Sequence, residues 1–248
     1  MRLIFGERTD PGLVRPNNQD ACAHKMLNLP GGGALLVVAD GMGGYDGGEI
    51  ASRLAVETLQ AHVLGGVAAW AERGALAEGL RDGIQEANRA IIAAQMQQPA
   101  LANMGTTLTA VIVQGSQLQV GHVGDSKALL IGPDRALQVT SDHNVPGELL
   151  QSGHLTAEQA AIHPQRHVLT RALGVREELP VELLSLTWQQ GETLLLCTDG
   201  LSNLVSLTEI QSLSQRCLPE ELVDQLIDLA NNRGGHDNIT VLAARWEG

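Results

Sequence analysis

TTLTAVIVQGSQLQVGHVGDSKALLI, residues 106–131, decides how this chain folds. Residues 106–113 are rich in β-branched side chains and read as a strand. A Gly115-Ser116 turn leads into a second strand over 118–123. Gly124-Asp125-Ser126 leads into a third over 127–131, closed by the turn Gly132-Pro133-Asp134. Short strands joined by tight turns predict an antiparallel meander, because parallel βαβ units need long crossovers. On either side of it, the apolar runs 35–39, 193–197 and 239–244 read as further buried strands. Ile50, Leu54, Leu59 and Val63 set helical spacing over 49–64, and Leu76, Leu80, Ile84, Ala87 and Ile91 set it over 75–96, where Gln97-Gln98-Pro99 ends the helix. Residues 208–214 and 220–231 also read as helices. Residues 142–172 are polar and rich in histidine, with a short helical stretch near 156–161, and they predict a flap subdomain over a site. With no repeat and no linker, the expectation is one α+β domain over 1–248.

Composition narrows the function. Apolar residues make up 44% of the 248, enough for a sizeable core. Aromatics are only 2%, which argues against base-stacking platforms for single-stranded nucleic acid. The net charge of -12 argues against a nucleic-acid partner, since that affinity comes from Lys and Arg on phosphates. The cysteines Cys22, Cys197 and Cys217 form no CxxC pair, so neither a disulfide framework nor a zinc site is indicated. No signal-peptide stretch opens the chain and no run of about 18 apolar residues occurs, so a cytoplasmic protein without a membrane partner is expected.

Five aspartates carry the chemistry: Asp20, Asp40, Asp125, Asp199 and Asp237. The last four border apolar runs and are followed by Gly41, Ser126, Gly200 and Asn238. Strand ends bring distant residues to one edge, and converging carboxylates do not stay ionised together without cations. Oxygen-only donors favour hard ions such as Mg²⁺ or Mn²⁺. Any one of these aspartates alone is more often a turn residue; the shared pattern of strand, acid and small residue raises the joint reading. The glycines after Asp40 lack the Lys-Ser/Thr of a nucleotide loop and let backbone carbonyls approach an ion. Arg15, in Arg15-Pro16-Asn17-Asn18-Gln19-Asp20, offers a planar fork matched to phosphate oxygens, although a lone Arg is usually a solvated surface residue.

In this order, these segments resemble the metal-dependent protein phosphatase family, the protein phosphatase 2C-like enzymes, in its compact bacterial branch. The resemblance runs from about Thr9 to Val241. It rests on Thr9-Asp10-Pro11-Gly12, Asp40-Gly41-Met42-Gly43-Gly44 with Gly48-Glu49, Gly105-Thr106-Thr107, Gly124-Asp125-Ser126, Asp142-His143, His163-Pro164, Thr170-Arg171-Ala172-Leu173-Gly174, Asp199-Gly200 and Asp237-Asn238. It implies a four-layer α-β-β-α sandwich of two antiparallel sheets with a metal cleft at one end. It implies a serine/threonine phosphoprotein phosphatase that hydrolyses phosphate monoesters with a metal-activated water and opposes a bacterial Ser/Thr kinase. Asp40 would bridge two Mn²⁺ or Mg²⁺ ions, one also held by the Gly41 carbonyl. Asp199 and Asp237 would complete the first ion, and Asp20 would serve the second directly or through water. Asp125, with Asp199, would hold a weaker third ion, and Arg15 would grip the phosphate. Partners would be phosphorylated Ser/Thr proteins, including such a kinase or its substrates, and the protein is expected to act as a monomer.

The chain also departs from that family pattern. Gln19 stands where many relatives carry an acid, Met42 where animal relatives place a candidate acid His, and Tyr45 where many bacterial ones have a His; Gln19, Tyr45 and Asn238 are possible accessory groups. A phenol of pKa about 10 is a poor acid near neutrality. Lys127 and His167 replace a commoner Arg and Asn, outside the metal set. His122, His143 and His236 adjoin metal motifs, but hard ions prefer oxygen. His154 and His163 are expected to shape the flap, and His24 and His62 to be surface or packing residues. Two other readings compete: a degenerate phosphatase that only binds phosphoproteins, and a phosphohydrolase acting on nucleotides or small phosphates.

Overall fold

The structure, a computed structural model, describes residues 2–43 and 47–247. In chain order the elements are β1 Arg2–Asp10, β2 Asp20–Leu27, β3 Gly33–Met42, α1 Gly47–Arg73, α2 Leu76–Gln97, β4 Gly105–Thr106, β5 Leu108–Gln114, β6 Gln117–Val123, β7 Lys127–Ile131, β8 Ala136–Gln138, α3 Val145–Gln151, α4 Ala157–Ala161, β9 Glu182–Thr187, β10 Thr193–Cys197, α5 Asp199–Ser202, α6 Leu207–Ser214, α7 Pro219–Asn232 and β11 Ile239–Glu247. One sheet runs β1-β11-β10-β7-β8, the other β2-β3-β5-β6-β9, with β4 beside β3. Every strand pair in both sheets is antiparallel.

Alternation along the strands explains the layering. On β3, Leu35, Val37 and Ala39 pack under α1 and α2 with Leu59, Leu80 and Ile84. The intervening Ala34, Leu36 and Val38 face the other sheet and meet Leu130, Leu194, Leu196 and Leu242. That second sheet turns Leu195, Cys197, Val241 and Ala243 outward, onto Leu222, Leu226 and Ile227 of α7. The order is therefore helix, sheet, sheet, helix. Both faces of the central strands are buried, so they read as unbroken apolar runs.

The expected three-strand meander is corrected at its second turn. β5 and β6 do pair, but β7 leaves them and pairs with β10 and β8 in the opposite sheet. Gly124 makes that departure possible: its φ of 110° is left-handed, and a Cβ there would run into Thr107. The crossing turn puts Asp125 between the sheets.

Helix α1 also runs past the expected end at residue 64, through Gly65 and Gly66, to Arg73. The glycines that look like a stop are a packing device. The Trp70 ring lies where a Cβ on Gly66, or on Gly79 of α2, would sit. Strands β1, β2 and β9 lack the apolar runs that mark the others and have many half-exposed or exposed positions. Between β8 and β9 the chain leaves the sheets to form α3 and α4, closed on itself by an Asn144–Leu169 bridge and tied back to β4 by a Thr106–Leu173 bridge.

Candidate metal centre and active site

On β3 the face that carries Leu36 and Val38 toward the other sheet carries Asp40 next, at the open end of that layer. On β2 the same face carries Cys22 and, two residues earlier, Asp20. The register sets Asp20 directly opposite Asp40. Side chains so paired have Cβ atoms about 4.5–5.5 Å apart, and like charges there repel. From the other sheet, Asp199 follows β10 and Asp237 precedes β11, and these two strands are neighbours.

The backbone of Asp40 is fixed on both sides. Its N–H donates to Thr107 Oγ1 (2.9 Å), and its carbonyl accepts from Thr106 Oγ1 (2.9 Å) and the Thr107 N–H (2.9 Å). Asp20 is buried, and its Oδ2 accepts from Thr198 Oγ1 (2.8 Å) and Thr240 Oγ1 (2.7 Å), which tie it to β10 and β11. Its Oδ1 is buried without a partner. Desolvation pushes the Asp20 carboxyl up to about 7, against the two threonine bonds and with the help of Asp199 and Asp237. Asp125 is raised to about 7, chiefly by burial and then by Asp199, while Asn144 Nδ2 donates to its Oδ2 (3.2 Å) and opposes the shift. Asp40 stands well above the usual range through burial and then Asp20, Asp199, Asp125 and Asp237. Asp199 is raised by burial and then by Asp237.

Arg15 sits on the 11–19 loop, and its Nη2 donates to Asp237 Oδ2 (2.9 Å). Asn238 holds that loop. Its Nδ2 donates to the carbonyls of Pro11 (3.0 Å) and Asn17 (2.9 Å), and its Oδ1 accepts from the Gln19 N–H (2.8 Å). The Gln19 carbonyl in turn accepts from the Gly41 N–H (3.1 Å) and Ser52 Oγ (2.6 Å). Gly41 has no room for a Cβ, which would strike the carbonyls of Gly48 and Gln19. The sequence names Asn238 only as an accessory; the structure makes it the clamp of the Arg15 loop.

Asp40, Gly41, Asp125, Asp199, Asp237, Arg15, Gln19 and Asn238 all line one cleft of about 1420 Å³, with Asp20 buried behind Asp40. Gly44 and Tyr45 lie outside the described residues. Met42 lines the cleft. His167, read as outside the metal set, reaches the cleft with Nδ1 4.0 Å from Asp199 Oδ2. Lys127 pairs with Asp142 (2.6 Å) instead. Asn203 Nδ2 also donates to Asp199 Oδ2 (3.1 Å), a contact its i, i+4 spacing could have suggested. Asn144, Thr198 and Thr240 carried no sequence signal of their own.

His236 lines the cleft, whereas His122 and His143 form a buried pair beside Glu182. His122 Nε2 donates to the Ser141 carbonyl (3.0 Å), leaving Nδ1 to accept from Thr109 Oγ1 (2.8 Å). Arg171 Nη1 lies 3.3 Å from His143 Nε2. With both His122 nitrogens occupied and a guanidinium alongside, that group suits a cation poorly.

The aspartate cluster suits one well. Its donors are oxygens alone, its carboxyls are forced toward protonation where they would have to share charge, and Asp20 Oδ1 is an orphaned buried acceptor. Hard divalent ions match the oxygen donors and relieve the other two conditions.

A family model described as Protein phosphatase 2C matches residues 15–238. The serine/threonine phosphatase stp of Listeria welshimeri is 40% identical over 245 residues, covering 95% of this chain and 92% of the relative. The crystal structure of the Mycobacterium tuberculosis serine/threonine phosphatase PstP/Ppp superposes with a TM-score of 0.86 at 36% identity, covering 99% of both chains. A PstP catalytic domain in complex with two manganese ions superposes at 0.84 with 34% identity, again over 99% of each. The chain belongs to the protein phosphatase 2C family, the metal-dependent serine/threonine protein phosphatases.

Proposed function

We propose that this protein removes phosphate from phosphoserine and phosphothreonine in proteins, using water activated by Mn²⁺ or Mg²⁺. What most supports the reading is Arg15, a phosphate-matched guanidinium hydrogen-bonded to Asp237 at the lip of an all-carboxylate centre. Asp40 would bridge two ions with the Gly41 carbonyl on one of them. Asp199 and Asp237 would complete the first ion, and Asp20 would serve the second directly or through water. Asp125, with Asp199, would hold a weaker third. Such ions, when bound, lower the pKa of water and neutralise charge on phosphate oxygens.

The protein's own part is placement. Thr106 and Thr107 fix Asp40, Thr198 and Thr240 fix Asp20, and Asn238 fixes the loop from which Arg15 releases Asp237 to take the phosphate's equatorial oxygens. We read the chain as one catalytic domain with a flap at 142–172, acting as a cytoplasmic monomer against a bacterial Ser/Thr kinase or its substrates. A panel of phosphothreonine, phosphoserine and phosphotyrosine peptides and a nucleotide, each with Mn²⁺, tests the substrate class. Fast release from the first two supports it; release from the nucleotide alone contradicts it.

A further inference from the structure

The cleft sorts charge against the grain of the chain. The protein has 28 acidic and 16 basic residues. Yet among the described residues, apart from the four metal-site aspartates, every Asp, Glu, Lys or Arg lining the cleft is an arginine: Arg15, Arg166, Arg171 and Arg176. Three of these fall within the eleven residues 166–176, after α4, and line one stretch of the cleft wall. Arg171 is held between His143 (3.3 Å) and Glu148 (4.0 Å). Arg176 donates weakly to the Thr170 carbonyl (3.4 Å), and it also borders a depression beside Glu177 and Glu178. Arg166 is exposed, and among the described residues its guanidinium has no ion pair. On the same wall Ile162 is 80% exposed and Val175 60%, apolar side chains facing a cleft rather than a core.

Once divalent ions offset the aspartates on the floor, this wall is a positive surface with an apolar edge. We propose that it reads the residues flanking the phosphorylated position, with Arg166 as the principal contact, and selects phosphoprotein segments rich in Asp and Glu that carry an aliphatic side chain. The inference rests on the protein-phosphatase reading of the same cleft. Charge complementarity of this kind acts on encounter and KM and fades with salt.

Three phosphothreonine peptides of one length, flanked by acidic, neutral or basic residues, test it at fixed Mn²⁺ beside p-nitrophenyl phosphate. kcat/KM should fall in that order, with acidic over basic by about three- to tenfold at low ionic strength, as expected of exposed ion pairs. The ratio should shrink at high salt and fall to about one or below in Arg166→Glu, with Arg166→Gln between. Each ratio is taken within one variant, so a general loss of activity cancels. Equal rates on all three peptides, or an unchanged ratio in Arg166→Glu, overturn the flank reading alone. Hydrolysis of p-nitrophenyl phosphate with no activity on any peptide overturns the protein-phosphatase reading, and this inference with it.

Discussion

Asp20 faces Asp40 across a strand pair, and neither can be ionised cheaply without a cation. This makes the metal-free protein pH-sensitive in a defined direction. Asp20 and Asp125 move from 3.8 when unfolded to about 7 when folded. They bind protons more tightly in the folded state, so the stability they contribute is complete at low pH and lost as pH rises through about 7. His122, pushed from 6.5 down to about 3 by burial and then by His143, acts the other way, but only below 6.5. Between pH 6.5 and 8 the carboxylates dominate. Thermal unfolding in chelator should show Tm falling across that window, with Mn²⁺ abolishing the fall. Asp40→Asn should raise the chelated Tm and flatten its slope, because one repelling charge is gone. A chelated Tm that is flat or rises over the window would contradict this electrostatic account.

At the scale of elements, two connections build the site. The Gly124–Ser126 turn carries the chain from one sheet to the other and leaves Asp125 between them. The 11–19 loop, clamped by Asn238, presents Arg15. Asn238→Ala removes three hydrogen bonds to that loop and should cost about 1–3 kcal/mol of stability. With Arg15 less well held, KM for a phosphopeptide should rise more than kcat falls. The opposite split would place Asn238 at the chemical step. These connections also mark what a sequence can disclose. β3, β5, β10 and β11 are legible because both faces are buried and the runs are apolar throughout. β1, with Arg2, Glu7, Arg8 and Asp10, and β2, with His24 and Lys25, each bury one face only in part and look like loop. The aspartates are legible as a repeated pattern of strand, acid and small residue. Their geometry is not: that Asp20 opposes Asp40 depends on β2 being a strand, and that Thr198 and Thr240 hold Asp20 depends on two sheets meeting. Arg166 and Arg176 gave no periodic signal because they sit on irregular chain.

For the molecule as a whole, the four layers explain how such a centre is tolerated. The layer between the sheets buries Leu36, Val38, Val111, Leu130, Leu194, Leu196 and Leu242, each worth about 1.5–3 kcal/mol. A buried carboxyl costs several kcal/mol before a partner is found. The core can therefore carry a destabilised cluster at one open end and leave cations to relieve it. Loaded with divalent ions, this cluster is what hydrolyses the phosphate esters of proteins. The most direct measurement is phosphate release from a phosphothreonine peptide by wild type and Asp40→Asn, across a Mn²⁺ titration and in chelator. Release should saturate with Mn²⁺, vanish in chelator and drop at least about a hundredfold in Asp40→Asn. Release that persists in chelator, or equal rates in the two proteins, would contradict it.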